Sequence, residues 1–149
     1  MLSSRLIGLF MCLGPILAII MIVLEQGYGR GGDSSFAEQL KAMSDNYAIA
    51  TISSIGFSIA ILVVFIGIHS LARSMQGENK PGSDFAGLAS IFSILIAGIY
   101  MVSLGLELIA TEKESDWIKQ GGDAINAFAI SEAITRSIFV FNSLVMLFL

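Results

Sequence analysis

The segment Ala127–Leu149, AFAISEAITRSIFVFNSLVMLFL, is long and apolar enough to cross a bilayer as one helix, yet it contains Glu132 and Arg136. These two residues are four apart with the acid first, which is the favourable order for an ion pair on one helix face. Charged side chains are costly in the hydrocarbon region unless they are paired or face protein. We therefore predict an intramembrane charge pair between Glu132 and Arg136.

The composition indicates that lipid is the solvent. The chain has 149 residues, of which 55% are hydrophobic and 13% are charged, whereas soluble domains carry about 25% charged residues. The net charge of −4 argues against nucleic acid as a partner. One cysteine excludes an internal disulfide or a cysteine-rich metal site, and one histidine excludes a bis-histidine haem held by this chain alone. We predict no cofactor.

Three further segments reach the roughly 20 residues that a spanning helix needs. The sequence therefore predicts an all-α integral membrane protein in which four transmembrane helices form an up-down bundle. Residues 1–149 form a single transmembrane domain, with spans at approximately 6–24, 47–72, 85–107 and 125–149. The first span is longer than the ~7–15 apolar residues of a signal peptide and lacks an A-x-A-like cleavage site, so we expect it to be retained.

The two long connections are predicted to contain short interfacial helices. Ser35-x-x-Glu38 is a capping box, which predicts a helix beginning at Phe36 that can continue into the second span. Asp123 follows two glycines and is a suitable N-cap for the fourth span. Trp117, the only tryptophan, suits the membrane–water interface as an anchor.

Lysine and arginine are densest in the N-terminus and the middle loop, where Arg5, Arg73 and Lys80 occur within few residues. The positive-inside rule then places both termini in the cytoplasm and the two acidic connections outside. We expect the membrane to be a prokaryotic cytoplasmic membrane. Leu149 follows an apolar run without a polar flank, so either this end packs against a partner or the natural chain continues.

Three glutamates, Glu25, Glu107 and Glu132, fall toward the outer ends of their spans, with Arg136 about one turn deeper. If they converge, they can hold a proton or bind a cation. The alternatives are a Glu132–Arg136 pair with the other two acids in water, or a bridge between subunits. Tyr100 shares a helix face with Glu107, and His69 lies near the cytoplasmic end of its span, so both are candidate partner contacts.

The sequence contains no HExxH, P-loop, GxSxG or paired-histidine motif, so no enzymatic activity of its own is predicted. The leading hypothesis is a small, non-catalytic accessory subunit of a larger membrane complex. It would dock against other membrane subunits and lipids through its transmembrane faces and acidic outer loops. The alternative is a small oligomeric transporter or channel that uses the outer carboxylates for protons or cations. A third possibility is a subunit that lends His69 or Glu107 to a quinone or metal site of a partner.

Overall fold

The computed structural model describes residues 3–30, 34–78, 81–112 and 119–149. These residues form α1 (Ser4–Gly27), α2 (Phe36–Asp45), α3 (Tyr47–Met75), α4 (Ser83–Thr111) and α5 (Ala124–Phe148). By length and composition, α1, α3, α4 and α5 are able to cross a membrane. The prediction of a helical protein with four membrane-length segments is confirmed.

Side chains at the helix starts fix where several helices begin. Ser35 and Glu38 form the predicted capping box at α2, and Asp123 accepts a hydrogen bond from the Asn126 backbone N–H at α5. The helix from Phe36 does not continue into α3, because the chain turns at Asn46. The Asn46 side-chain amide donates to the Ala42 carbonyl at 2.9 Å, a local bond of the kind that competes with helix propagation.

The long helices lie in a row in which α1 packs on α3, α3 on α4, and α4 on α5. Neighbours run antiparallel: Gly67 near the end of α3 lies against Met11 of α1, and Gly56 near its start lies against Met21. In the described residues α1 and α5 are not packed extensively on each other. The row therefore has two edge helices, α1 and α5. In a closed bundle these two helices would pack on each other.

The main core lies along the inner faces of α3, α4 and α5, where Phe65, Ile68, Ile96 and Val145 are buried. At α1, by contrast, Gly14 is the one buried residue in the described range of that helix. Most of the buried residues therefore lie on α3 and α4, and α1 packs on α3 alone among the long helices that the structure describes.

A second core cluster closes one end of the row. Met43 of α2 is 1% exposed and packs with Ala50, Ala110, Ala127 and Phe128. These residues come from the start of α3, the end of α4 and the start of α5, so α2 covers the end of the row at which those helices meet. The three glutamates singled out in the sequence lie near this same end.

Candidate functional site

The structure brings Glu25 of α1, Glu107 of α4 and Glu132 of α5 together around one guanidinium group, that of Arg30. Arg30 Nη1 donates to Glu25 Oε1 at 3.1 Å and to Glu107 Oε1 at 2.8 Å. Arg30 Nη2 donates to Glu107 Oε2 at 2.8 Å and to Glu132 Oε1 at 3.1 Å. Glu107 is therefore bound bidentately, the strongest form of an arginine–carboxylate pair. We call these four residues the Arg30 cluster.

The end of α1 positions Arg30. Gly29 has a φ of 89°, in the left-handed region that favours glycine. The Gly29 N–H donates to the Gln26 carbonyl, and the Arg30 N–H donates to the Glu25 carbonyl, both at 3.1 Å. This pair of bonds is a Schellman motif, which reverses the chain at a helix C-terminus. The reversal directs the Arg30 side chain back over the ends of α4 and α5.

Further contacts support the cluster from α3 and α5. The Ser54 hydroxyl donates to Glu107 Oε1, and the Arg30 guanidinium lies 5.8 Å from the centroid of the Phe128 ring. Burial by itself would lower the pKa of Arg30, but the Glu107 carboxylate and its neighbours outweigh this effect and raise that pKa above its ordinary value. Arg30 is therefore charged at neutral pH, as arginine ordinarily is.

The cluster has more acid than base. With all groups ionised, three carboxylates and one guanidinium sum to −3 + 1 = −2. The Arg30 side chain is only 14% exposed and that of Glu107 only 11% exposed, so solvent screens this surplus weakly. A buried surplus of negative charge favours a proton, a cation or a basic group from another molecule beside it.

A cavity of about 520 Å³ adjoins the Arg30 cluster. Its lining includes residues of both edge helices, such as Ile22 on α1 and Phe139 on α5. Hydroxyl groups of α3, α4 and α5 contribute to its wall, and Tyr100 lies edge-on to Phe57 with ring centroids 6.0 Å apart. The cavity thus combines charged groups, hydroxyl groups and apolar side chains in its lining. The hydroxyl residues are Ser54, Tyr100, Ser103 and Thr135.

The predicted Glu132–Arg136 pair is not the ion pair that the structure forms. The Glu132 carboxylate contacts Arg30, and Arg136 is exposed on α5. The physical reason is the difference in environment, because a carboxylate gains more from a shielded guanidinium with fixed geometry than from an exposed neighbour on its own helix. The spacing of four permits the predicted pair but does not require it.

The other site residues predicted from the sequence lie in different parts of the chain. Tyr100 lies at the cavity with Glu107, as their shared helix face predicts. His69 lies toward the opposite end, where its Nδ1 is 2.8 Å from Ser90 Oγ and links α3 to α4. It takes no part in the Arg30 cluster. Trp117 is outside the residues that the structure describes.

Sequence analysis did not identify Arg30, because a base in a glycine-rich connection is ordinarily solvated. One signal was available: Arg30 directly follows Gly29, five residues after Glu25, at a helix end where glycine commonly reverses the chain. Three acids predicted at one end of a membrane protein also require a counter-charge. The nearest base in the chain after Glu25 is Arg30.

Among the described residues, no group of three or more histidine, cysteine, aspartate or glutamate side chains is arranged to hold a metal ion. The three glutamates of the Arg30 cluster are instead arranged around a guanidinium. Comparison of the chain with models of protein families, with curated proteins and with solved structures finds no match.

Proposed function

We propose that this chain is a small accessory subunit of a membrane protein assembly and has no catalytic site of its own. Its four long helices would span the membrane in alternating directions, with α2 lying at the outer interface. The observation that carries the proposal is the charged cavity between the edge helices α1 and α5. Charged groups beside two edge helices favour contact with a neighbouring membrane subunit.

Acyl chains offer no hydrogen bonds, so charged groups at membrane depth face protein or a water-filled space. The cavity wall includes Glu25, Arg30, Glu107 and Glu132, together with apolar residues of both edge helices. A spanning helix of a neighbouring subunit beside this cavity would exclude lipid from the charges.

The hydrogen bonds of the Arg30 cluster support a structural role for its charges. One guanidinium joins α1, α4 and α5, and Ser54 adds α3, so the cluster ties together the ends of all four spanning helices. A buried ionic network of this type contributes little net stability but fixes a unique arrangement when every member is satisfied. The proposed role is to hold the docking faces of α1 and α5 at a fixed spacing.

The test is extraction of the chain from native membranes in a mild detergent, followed by native electrophoresis and mass spectrometry of the co-migrating polypeptides. We expect the chain to run reproducibly with different polypeptides in one particle. Glu132→Gln should reduce that particle, whereas Glu112→Gln, at an exposed position just after α4, should leave it intact. Migration of the chain alone, or only with copies of itself, would contradict the proposal.

A second candidate function is an oligomeric transporter of protons or small cations, favoured by the excess of carboxylates over bases in the Arg30 cluster beside a hydroxyl-bearing cavity wall. Here water rather than a neighbouring helix occupies the cavity. The same variant separates the two functions, because in this case Glu132→Gln abolishes cation flux into proteoliposomes while assembly persists. Loss of assembly with no flux in the wild-type chain favours the accessory subunit.

A further inference from the structure

Arg136 is a charged residue at the middle of a membrane-length helix and faces outward. It lies about 18 Å along α5 from Ala124, at about 1.5 Å per residue. It is exposed, and within the described residues no carboxylate forms a salt bridge with it. Val140 and Leu147, which follow on the same face of the helix, are 66% and 77% exposed. Apart from Ser143, the exposed residues that follow Arg136 on this face are apolar, and Arg136 is its one cation.

A cation at this depth in contact with acyl chains is unfavourable, and it is tolerated when a carboxylate or other polar group covers it. The chain carries a matching surplus of negative charge close by. Glu132 belongs to the Arg30 cluster, and it lies one helical turn, about 6 Å, before Arg136 on α5. The long arginine side chain can extend along a helix surface to place its charged end away from its own backbone.

From the outward cation on α5 and the surplus of negative charge in the Arg30 cluster, we infer that two copies of this chain associate along α5. Arg136 of each copy is then directed to the acidic cavity of the other. The inference goes beyond the proposed function and does not depend on it, since two copies can pair whether or not other polypeptides join the assembly. Glu132 and Phe139 form part of the cavity wall on α5, and Arg136 lies between them in sequence. The donor face and the acceptor cavity therefore adjoin one another on the same helix.

Symmetry favours a second copy over an unrelated occupant. A two-fold axis along the membrane normal keeps both copies in the same orientation and brings equal depths of the two α5 helices together. Each copy then offers one outward cation and one acidic cavity, so the pairing is reciprocal. The charges complement each other across the interface, and the apolar Val140 and Leu147 faces are covered in the same contact.

The test uses two differently tagged copies expressed together, with one tag used for purification from mild detergent and the other for detection. We expect wild-type copies to purify together. Arg136→Gln should reduce the recovered partner by at least about tenfold, the size of effect expected when a buried charge pair is broken. Arg136→Lys should retain most of the recovered second copy. Arg73→Gln, a substitution of an exposed arginine on α3, is the matched control and should leave the recovery unchanged.

Cysteine cross-linking in intact membranes tests the contact without changing the charges. In a Cys12→Ser background, Val140→Cys should form disulfide-linked dimers several-fold more efficiently than Ile130→Cys, an exposed position on another face of α5. Equal cross-linking at the two positions, or undiminished pairing of Arg136→Gln, overturns the inference. Co-purification of foreign polypeptides without a second tagged copy overturns the inference but leaves the accessory-subunit proposal standing. Co-purification of anionic lipid without a second tagged copy also overturns the inference. Pairing of copies without foreign polypeptides supports the inference and contradicts the accessory-subunit proposal.

Discussion

At the scale of single residues, the Arg30 cluster shows why arginine is suited to this position. The planar guanidinium holds both oxygens of Glu107 at 2.8 Å and still reaches Glu25 and Glu132. Lysine has a single ammonium group and cannot form the bidentate pair. Removing the guanidinium leaves three carboxylates with little solvent around them, which is the costly outcome of breaking a buried ion pair.

Substitution of Arg30 is therefore expected to destabilise the protein strongly. Arg30→Gln should lower the free energy of unfolding by roughly 3–5 kcal/mol, and Arg30→Lys should lower it by less. The measurement is unfolding of the purified chain in detergent, with Arg5→Gln as the control, because Arg5 is exposed at the start of α1. An additional Glu107→Gln substitution should recover part of the loss, since the two positions share one interaction. If the changes in the free energy of unfolding caused by Arg30→Gln and Glu107→Gln are fully additive, the interaction between these two residues in the Arg30 cluster is contradicted.

Gly29 provides a second residue-scale prediction with an internal control. Its positive φ penalises any side chain, so Gly29→Ala should destabilise the protein by about 1–2 kcal/mol and loosen the position of Arg30. Gly27 closes α1 without a positive φ, and a Cβ placed there meets no atom within 4 Å. Gly27→Ala should therefore be neutral or stabilising by up to about 1 kcal/mol. Equal effects of the two substitutions in thermal unfolding would refute the role of the Schellman turn.

At the scale of elements, close approach and hydroxyl groups hold the helices together along their lengths, while the Arg30 cluster joins them at one end. Between α4 and α5, the Ser103 hydroxyl donates to the Ser131 carbonyl at 2.8 Å, and the Ser131 hydroxyl donates to the Ser103 carbonyl at 2.9 Å. Such interhelical bonds contribute on average about 0.6 kcal/mol in membrane proteins. Small residues are equally important for helix packing, because they let the backbones of neighbouring helices approach one another closely.

The contact between α1 and α3 depends on Gly14. A Cβ at this position would lie 2.5 Å from Val64 Cγ2 and 3.1 Å from the Ala60 carbonyl oxygen, which belongs to backbone and yields poorly. We expect Gly14→Ala to destabilise the protein by about 1–3 kcal/mol through overpacking and to free α1 from the row. The control is Gly8→Ala, since a Cβ at Gly8 meets nothing within 4 Å. Proteolysis or disulfide trapping between α1 and α3 would detect the separation, and an unchanged contact would exclude this role for Gly14.

At the scale of the whole molecule, the antiparallel order gathers the Arg30 cluster at one end of the row and His69 toward the other. The predicted orientation places the cluster end outside, because Arg5 and Arg73 belong to the opposite end. In a Cys12→Ser background, Gln120→Cys should react with a membrane-impermeant thiol reagent from the outside of intact cells. Glu78→Cys, also exposed, should react only after the membrane is opened. The reverse pattern would invert the topology and place the Arg30 cluster on the cytoplasmic side.

The sequence by itself determined the four membrane-length helices, because the length of a predominantly apolar run is a local property that needs no contacts. It also determined that Glu25, Glu107 and Glu132 occur near one end, since each lies close to the same end of its alternating span. The capping box at Ser35 and the N-cap at Asp123 were likewise local and were confirmed.

Only the tertiary structure decided which base those acids share. Arg136 is near Glu132 along the helix, whereas Arg30 is 102 residues away and reaches it through the Gly29 reversal. The open row of helices was also a tertiary outcome, because apolar periodicity does not distinguish a face that meets protein from one that meets lipid. In a membrane both faces are apolar, so the choice between them is made by close contacts such as that at Gly14 and by shared charges such as Arg30.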